Sequence, residues 1–398
     1  MASTPEQKRT HIFEFRGRGG EYFKIWIVNI LLSILTLYIY SAWAKVRTNR
    51  YFYGNTYLAD GSFEYHATPM QILKGRIIAV ILLIIFVVAN VIHPLASIIL
   101  AGLMLLATPW IVWRSMIFNA RMTSYRNVRF NFVGTCGSMY LYILVIPMIP
   151  IVIGLILAAV MYFNGNTALL PGIVAIAIII AYLMYPLTRR LLSSYAIDNA
   201  KYGTSEFKSR LTTGNFYKIY LKMIGLSILV YIGVVLLVML LGFLAQILGF
   251  IDGEGFMDMV DMDPDALVGS GAMIPVFVLG GLFYIGIIVV GILIAAYLLS
   301  RMRNYIFSNT VLADKVELMS FLPARGLWWL MTTNFLLVVF TLGLAYPWAK
   351  VRSARYYARH TSVSADSLDG FISEQVNYQS SLGDEIGDAF DVDIGLGI

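Results

Sequence analysis

Long stretches without a charged residue constrain this chain more than any other feature. Four of them cover residues 77–113, 130–188, 223–251 and 266–300. A helix needs about 20 apolar residues to cross the hydrocarbon of a bilayer, so the first two stretches hold two crossings each and the others one. The breaks in the two long stretches fall at His93-Pro94 and at Asn164-Gly165-Asn166. The sequence therefore predicts six full transmembrane helices arranged in three hairpins.

The overall composition excludes a soluble protein. Of the 398 residues, 59% are hydrophobic and 13% are charged, whereas a soluble domain has about 25% charged residues. A chain this apolar is not a soluble enzyme, and it is too hydrophobic to be disordered throughout. The single cysteine, Cys136, excludes an internal disulfide framework.

Charge placement predicts the orientation. The junctions 45–76, 114–138, 189–222 and 301–325 carry five, four, seven and four Lys or Arg residues. The loop on the opposite side of the helices has six acids and no base between Asp252 and Asp265. Basic junctions face the cytoplasm in membrane proteins, so we expect the acidic loop 252–271 to be periplasmic. The formal charge of +6 is then a topology signal, and no nucleic-acid partner is expected.

Two terminal segments, 25–44 and 326–349, do not fit a simple crossing. Each is long enough for one pass, yet each has Lys or Arg on both sides. They are predicted to be re-entrant hairpins or transmembrane segments, and the charges favour re-entry. Gly343 and Pro347 offer a break in the second segment, and the first lacks both residues.

These two segments are copies of each other. Residues 29–56 align without a gap to residues 334–361, with 13 of 28 positions identical. The shared block is Trp-Ala-Lys-Val-Arg, at residues 43–47 and 348–352. Internal repeats of this kind indicate an architecture built from serial units.

The cytoplasmic junctions carry a second repeated pattern. Residues 55–65 alternate apolar and polar side chains about Asp60-Gly61, which is the strongest short signal for a β-hairpin. Looser copies follow at 123–132, 199–207 and 309–318, and residues 11–15 resemble the second strand of a hairpin. The prediction is an all-α polytopic membrane protein with small cytoplasmic β-hairpins between about five repeats. We expect residues 1–365 to form one integral membrane domain and residues 366–398 to form an acidic disordered tail.

The block Thr341-Leu-Gly-Leu-Ala-Tyr-Pro-Trp348-Ala-Lys-Val-Arg352 and the Asn55 to Phe63 junction resemble the signature of the YjgN family. These are bacterial inner-membrane proteins grouped under a domain of unknown function. The resemblance implies a location and a related fold, and it implies no catalytic residues. The first copy of the block departs from the signature at Tyr38 and Ala42.

Two sets of residues are candidate functional sites. The uncharged polar residues Asn29, Asn334, Thr36 and Thr341 are either interhelical hydrogen-bonding groups or two pseudosymmetric points on a solute pathway. The second set suits a membrane interface that binds lipid headgroups, where an aromatic residue precedes cations. Its members are Trp43, Lys45, Arg47, Arg50, Trp348, Lys350, Arg352 and Arg355.

No residue pattern indicates catalysis, a metal site or a cofactor, so an enzyme is not expected. The first functional hypothesis is a transporter or channel-like protein for an unidentified solute. The alternative is an envelope scaffold that binds anionic lipid without transport. Membrane lipids are the expected partners, and a homo-oligomer or an unidentified protein partner stays open.

Overall fold

Ten short antiparallel strands form a closed barrel. The structure is a computed structural model that describes residues 9–247 and 273–365. The predicted acidic loop 252–271 and the predicted tail 366–398 lie outside the described residues. Within the described part, one compact unit contains the whole barrel, and a second holds residues 218–247, 273–301 and 323–333.

The strands come in pairs separated by helical segments. They are β1 (Arg9–Phe15), β2 (Thr56–Leu58), β3 (Gly61–Tyr65), β4 (Thr123–Tyr125), β5 (Val128–Phe132), β6 (Ala200–Tyr202), β7 (Ser205–Ser209), β8 (Thr310–Leu312), β9 (Val316–Ser320) and β10 (Thr361–Ala365). Each strand pairs with its neighbours in sequence, and β1 pairs with β10 to close the ring. Four tight turns therefore join β2 to β3, β4 to β5, β6 to β7 and β8 to β9, at the four predicted hairpins. The fifth pair, β10 with β1, joins the first and the last strand of the described residues.

Every helical segment leaves the barrel and returns to it at paired residues. The exit and return partners are Phe15 and Thr56, Tyr65 and Thr123, Phe132 and Ala200, Ser209 and Thr310, and Ser320 and Thr361. All five segments thus start and end on the same face of the barrel.

The barrel interior is filled with apolar side chains. We call the strand before each helical segment outgoing and the strand after it incoming. Two residues further into the barrel than each exit and return pair, the outgoing strand has a Phe or Leu opposite a Leu, Tyr or Val of the incoming strand. These pairs are Phe13 with Leu58, Phe63 with Tyr125, Phe130 with Tyr202, Phe207 with Leu312, and Leu318 with Val363. The incoming members are all buried. The ring forms a packed core, since aromatic and aliphatic cross-strand pairs stabilise a sheet.

The helices fall into five segments. They are α1 (Gly19–Leu35) and α2 (Ser41–Gly54); α3 (Pro69–Ile92) and α4 (Pro94–Arg121); α5 (Cys136–Tyr140), α6 (Ile146–Phe163), α7 (Leu170–Leu183) and α8 (Tyr185–Asp198); α9 (Thr213–Ile247) and α10 (Met273–Ser308); and α11 (Ala324–Phe340) and α12 (Tyr346–Arg359). A π-helical turn, Leu141–Val145, joins α5 to α6.

The prediction of a polytopic membrane protein with six spans is confirmed. Six helical stretches in the described chain are long and apolar enough to cross a membrane, and no more than 17% of the most apolar window of any of them is buried. Such exposed apolar surface requires lipid, because it exceeds what a soluble protein leaves in water. The prediction of an all-α fold with separate small hairpins is incomplete, because the strands join into one ten-stranded barrel. Strands of three to seven residues give a much weaker sequence signal than the long helices.

Segments 25–44 and 326–349 are each broken into two helices. Residues 36–40 turn the chain between α1 and α2, and residues 341–345 do the same between α11 and α12. Neither segment is one continuous helix, and each rejoins the barrel beside its starting strand. The geometry is that of a helical hairpin, in the first copy as well as the second.

Candidate functional site

The two short helical hairpins repeat the same turn, and one threonine organises each. Oγ1 of Thr36 donates to the carbonyl of Leu32 and accepts from the N–H of Tyr40, at 2.7 and 2.9 Å. Oγ1 of Thr341 donates to Leu337 and accepts from Ala345, at 2.7 and 3.0 Å. Each threonine hydroxyl therefore pairs with a carbonyl in the last turn of the first helix and with the N–H of the last residue of the turn. Their hydroxyls satisfy backbone groups of the turn itself.

Each hairpin is also cross-linked by a buried asparagine. Nδ2 of Asn29 donates to the carbonyl of Ala44 at 3.4 Å, and Nδ2 of Asn334 donates to that of Ala349 at 3.2 Å. The two asparagines are 6% and 9% exposed. Asn334 also donates to Oγ of Ser353, at 3.0 Å. Each amide thus joins the two helices of its own hairpin, as a polar group buried in an apolar helix pair must.

The asparagine oxygens orient two of the predicted interface arginines. Nη1 of Arg47 donates to Oδ1 of Asn29 at 3.4 Å, and Nη1 of Arg352 donates to Oδ1 of Asn334 at 3.3 Å. Nη1 of Arg47 also lies 3.1 Å from the hydroxyl of Tyr40. Both arginines are exposed residues. The structure therefore joins members of the two predicted sites, one asparagine with one arginine, in each hairpin.

The other two arginines have a different role. Nη2 of Arg50 donates to the carbonyl of Ala67 at 3.2 Å, and Nη2 of Arg355 donates to that of Gly17 at 2.9 Å. Ala67 and Gly17 lie in elbows, which we define as the three residues joining an outgoing strand to the next helix. These guanidinium groups therefore hold consecutive segments together.

Every elbow is held in this way, a regularity that the sequence does not indicate. Each of the five segments ends in a helix that donates a side-chain hydrogen bond to the elbow of the following segment. The donors and acceptors are Arg50 to Ala67, Trp113 to Gly134, Arg190 to Leu211, Asn304 to Leu322, and Arg355 to Gly17. Only the arginines 50 and 355 are visible as a repeat in the sequence, because the donors between them are of different residue types.

The tryptophans of the predicted interface also differ from each other. Trp43 is half-buried, stacks on Tyr40 with ring centroids 6.0 Å apart, and packs against a buried cluster that includes Ile72. Trp348 is 44% exposed, lies 5.0 Å from the ring of Phe23 and covers Gly19 so closely that a Cβ there would clash. Trp348 thus seals α12 against α1.

The lysines of the two Trp-Ala-Lys blocks are less exposed than the arginines at positions 47 and 352. Lys45 and Lys350 are both half-buried. Nζ of Lys350 lies 4.8 Å from the ring centroid of Phe52 and 5.8 Å from that of Tyr22. This cation–π contact adds to the packing between α12 and the first hairpin.

Arg76 makes a further contact with the first short hairpin that the sequence does not indicate. It lies two turns inside α3, where its Nη1 contacts Oγ of Ser41 and its guanidinium lies 5.8 Å from the ring of Tyr38. The turn of the first hairpin is therefore held from the side by the first long hairpin.

The charge of the two returning helices is strongly positive. Between them α2 and α12 contain Lys45, Arg47, Arg50, Lys350, Arg352, Arg355 and Arg359, and neither contains an acid. Glu21 of α1 is the one acid of the four hairpin helices, and it accepts from the hydroxyl of Tyr51 at 3.3 Å. A surface on which cations outnumber acids in this way attracts anions.

The remaining chemistry of the described residues is sparse. In residues 9–247 and 273–365, no three His, Cys, Asp or Glu side chains come together as metal ligands would. Six helices of this described part, long and apolar enough to cross a membrane, define the chain as a polytopic membrane protein, and its two short hairpins add basic return helices.

Comparison with known proteins gives the family. Residues 10–389 match the family described as bacterial protein of unknown function (DUF898), and the chain belongs to it. The chain is 29% identical over 373 residues to "Inner membrane protein YjgN" of Salmonella typhimurium, covering 91% of this chain and 90% of that protein. It is 27% identical over 377 residues to the protein of the same name from Escherichia coli K12, with 90% of each covered. No solved structure matches it.

Proposed function

We propose that this protein is an inner-membrane scaffold that binds anionic lipid on the leaflet next to its barrel. Three long helical hairpins cross the bilayer, and the two short hairpins enter it from the barrel side and return. The observation that carries the proposal is the layout of the short hairpins: an apolar turn, then a helix rich in Lys and Arg and free of acids.

Helix lengths and exposure support re-entry. Helices α1 and α11 have 17 residues, and α2 and α12 have 14. At 1.5 Å per residue these are about 25 and 21 Å long, shorter than the roughly 30 Å of hydrocarbon. The turns expose large apolar side chains, with Leu37 89% and Leu342 93% exposed. Such tips suit the interior of a bilayer.

The same arrangement supports an orientation in the membrane. All five segments leave and rejoin the barrel on one face, and the basic junctions lie at that face. The positive-inside bias then supports a cytoplasmic barrel. In this orientation the return helices α2 and α12 meet the anionic inner leaflet.

Lipid retention by the purified protein tests the proposal. The full chain, solubilised in mild detergent and mixed with equal amounts of phosphatidylglycerol and phosphatidylcholine, is examined by native mass spectrometry. We expect preferential retention of phosphatidylglycerol, weakened by added salt because the attraction is electrostatic. Equal retention of the two lipids at low salt would rule the proposal out.

Solute transport stays a prediction, and one variant pair separates it from the scaffold. The amides of Asn29 and Asn334 form hydrogen bonds within their own hairpins, an arrangement that favours a structural role. If the two asparagines line a solute pathway, N29A/N334A should abolish flux into proteoliposomes across a broad solute screen. If the protein is a scaffold, the wild type should show no protein-dependent flux and should still retain phosphatidylglycerol.

A further inference from the structure

We infer that the two short hairpins, α1–α2 and α11–α12, insert into one leaflet only, and that they make the protein accumulate in membrane that is convex on the barrel side. This curvature preference rests on the proposed function in one respect, which is that both hairpins enter the bilayer from the barrel side. Selective retention of anionic lipid is a separate property, so each of the two can fail without the other.

The turn of each short hairpin is apolar and uncovered. No charged residue lies between Lys24 and Lys45, or between Arg325 and Lys350. The exposed side chains around the two turns are Ile34, Leu35, Leu37, Tyr38 and Ile39 in the first hairpin and Phe340, Leu342 and Leu344 in the second. Apolar surface of this kind is stabilised by transfer from water to hydrocarbon, so both turns insert into the bilayer.

The cations that follow each turn limit its depth. Arg47 is the seventh residue of α2, Arg352 is the seventh residue of α12, and both are exposed. Six steps of helix place each of them about 9 Å from the start of its helix. Because an exposed cation is unfavourable in hydrocarbon, each arginine reaches the headgroups with its extended side chain. Half of the hydrocarbon layer is about 15 Å thick, so the turns stop near the midplane.

Each short hairpin is braced, so it inserts as a fixed pair of helices. Asn29 and Asn334 join the two helices of their hairpins, and the hydroxyls of Thr36 and Thr341 bond to backbone groups on both sides of each turn. Arg76 of α3 also contacts the first turn at Ser41. A hairpin that is fixed in this way occupies a constant area of the leaflet.

The short hairpins add area to one leaflet, whereas a crossing helix adds it to both. The first long hairpin has helices of 24 and 28 residues, about 36 and 42 Å long, which exceeds the roughly 30 Å of hydrocarbon. The four helices of the short hairpins each have a diameter of about 10 Å, so together they occupy on the order of 300 Å² of the near leaflet. Extra area in one leaflet is accommodated where that leaflet is convex, which is why shallow apolar helices bind membranes in a curvature-sensitive way.

Tubes pulled from giant vesicles test this preference, because the outer leaflet of a tube is strongly convex. The full chain is reconstituted into vesicles of phosphatidylglycerol and phosphatidylcholine. A membrane-impermeant, amine-reactive dye marks only molecules whose barrel faces outward, since none of the ten lysines lies in the far segments 93–94, 164–167 and 248–272. We expect the ratio of dye to lipid fluorescence to be about threefold higher in the tube than in the vesicle.

L37D/L342D is the variant that tests the role of the short hairpins. Both leucines are exposed and have a positive φ, which aspartate tolerates better than most residues. A carboxylate is unfavourable in hydrocarbon, so the turns should leave the leaflet and the fluorescence ratio should fall to about one. If thermal unfolding shows that L37D/L342D is not folded, L37N/L342N replaces it with the same expected direction.

Two variants serve as matched controls. L37M/L342M changes the same two positions and keeps them apolar. I12D adds a carboxylate at an exposed residue of β1, outside the short hairpins. Both should keep the ratio of the wild type.

Each outcome of the tube experiment has one interpretation. Enrichment of the wild type and of both controls, with loss in L37D/L342D, supports the inference. Equal enrichment of the wild type and L37D/L342D overturns it, because the short hairpins are then not the cause. A wild type that is not enriched, or is depleted, also overturns it. In both of these cases the proposed function stands as long as native mass spectrometry shows selective retention of phosphatidylglycerol.

Discussion

Tyr38 occupies, in the first hairpin, the left-handed backbone position that Gly343 occupies in the second. The two residues have φ of 72° and 90°, and the residue before each, Leu37 or Leu342, has φ near 50°. The backbone hydrogen bonds of the two turns also match, for example Tyr38 N–H to Ser33 and Gly343 N–H to Val338. The turn is thus fixed by hydrogen bonds and by the threonine cap, so glycine is not required for it to form.

Gly343→Ala should destabilise the protein modestly. Nothing lies within 4 Å of a Cβ at this position, so the cost is that of holding an L-residue at φ 90°. That cost is about 1 kcal/mol. Thermal unfolding in detergent should show a lower midpoint for the variant.

Gly102→Ala provides the matched control for this effect. Gly102 lies inside α4, and a Cβ there also meets nothing within 4 Å. Alanine in a helix interior is favoured over glycine by about 0.5–1 kcal/mol, so the midpoint should rise or stay unchanged. A fall in both variants would show that the effect of Gly343→Ala is not conformational.

Much of the fold could be predicted because the relevant signals are local. The absence of charge marks the long helices, Asp60-Gly61 marks a hairpin, and the 13 identities between residues 29–56 and 334–361 mark the paired short segments. The break in the first segment has no sequence signal, since a tyrosine such as Tyr38 does not indicate a left-handed turn. The turn is caused by a pattern of hydrogen bonds, which the residue type at position 38 alone does not encode.

The closure of the barrel and the roles of the arginines could not be predicted. β1 and β10 lie at opposite ends of the chain, and their pairing of His11 with Val363 has no local signal. The repeat made Arg47 and Arg50 look alike, although only the structure shows that one contacts an amide and the other an elbow. Which role each takes depends on the neighbouring segment.

Arg355→Ala should loosen the junction between the chain ends. Nη2 of Arg355 donates to the carbonyl of Gly17 at 2.9 Å, and a bond of this kind to a charged donor contributes about 1.5–3 kcal/mol. Since no turn connects β10 to β1, we expect faster amide exchange in β1, measured by hydrogen–deuterium exchange mass spectrometry. Arg359→Ala, at an exposed position of α12, is the control and should leave exchange in β1 unchanged.

Tyr202→Phe should destabilise the barrel core. The hydroxyl of Tyr202 donates to the buried carbonyl of Tyr125 at 2.9 Å, and burial raises the pKa of Tyr202 to about 12, so it stays a neutral donor. Removing it leaves a buried carbonyl without this donor, at a cost of about 1–3 kcal/mol. Tyr57→Phe makes the same chemical change on a half-buried residue of β2 and should cost under about 0.5 kcal/mol. Equal midpoints for the two variants would contradict the assigned hydrogen bond.

His66 should make the stability of the protein depend on pH. Nε2 of His66 lies 2.7 Å from Oγ of Ser124, and burial, aided by the charge of Arg129, holds the pKa of the imidazole below its usual value. Glu64, 3.6 Å away, and Arg50 also face the ring, the first raising the pKa and the second lowering it.

The sign of this dependence follows from which state binds the proton first. Near pH 8 the imidazole is neutral in both states, so it contributes no slope. As the pH falls through the ordinary value of about 6.5, the unfolded chain takes up a proton before the folded one, and stability falls until the folded pKa is passed. Unfolding midpoints measured from pH 8 to pH 5 should therefore drop more steeply in the wild type than in His66→Gln. Arg129→Gln removes one cause of the lowered pKa and should give an intermediate slope, whereas a steeper slope in His66→Gln would mean that the folded state favours the charged imidazole.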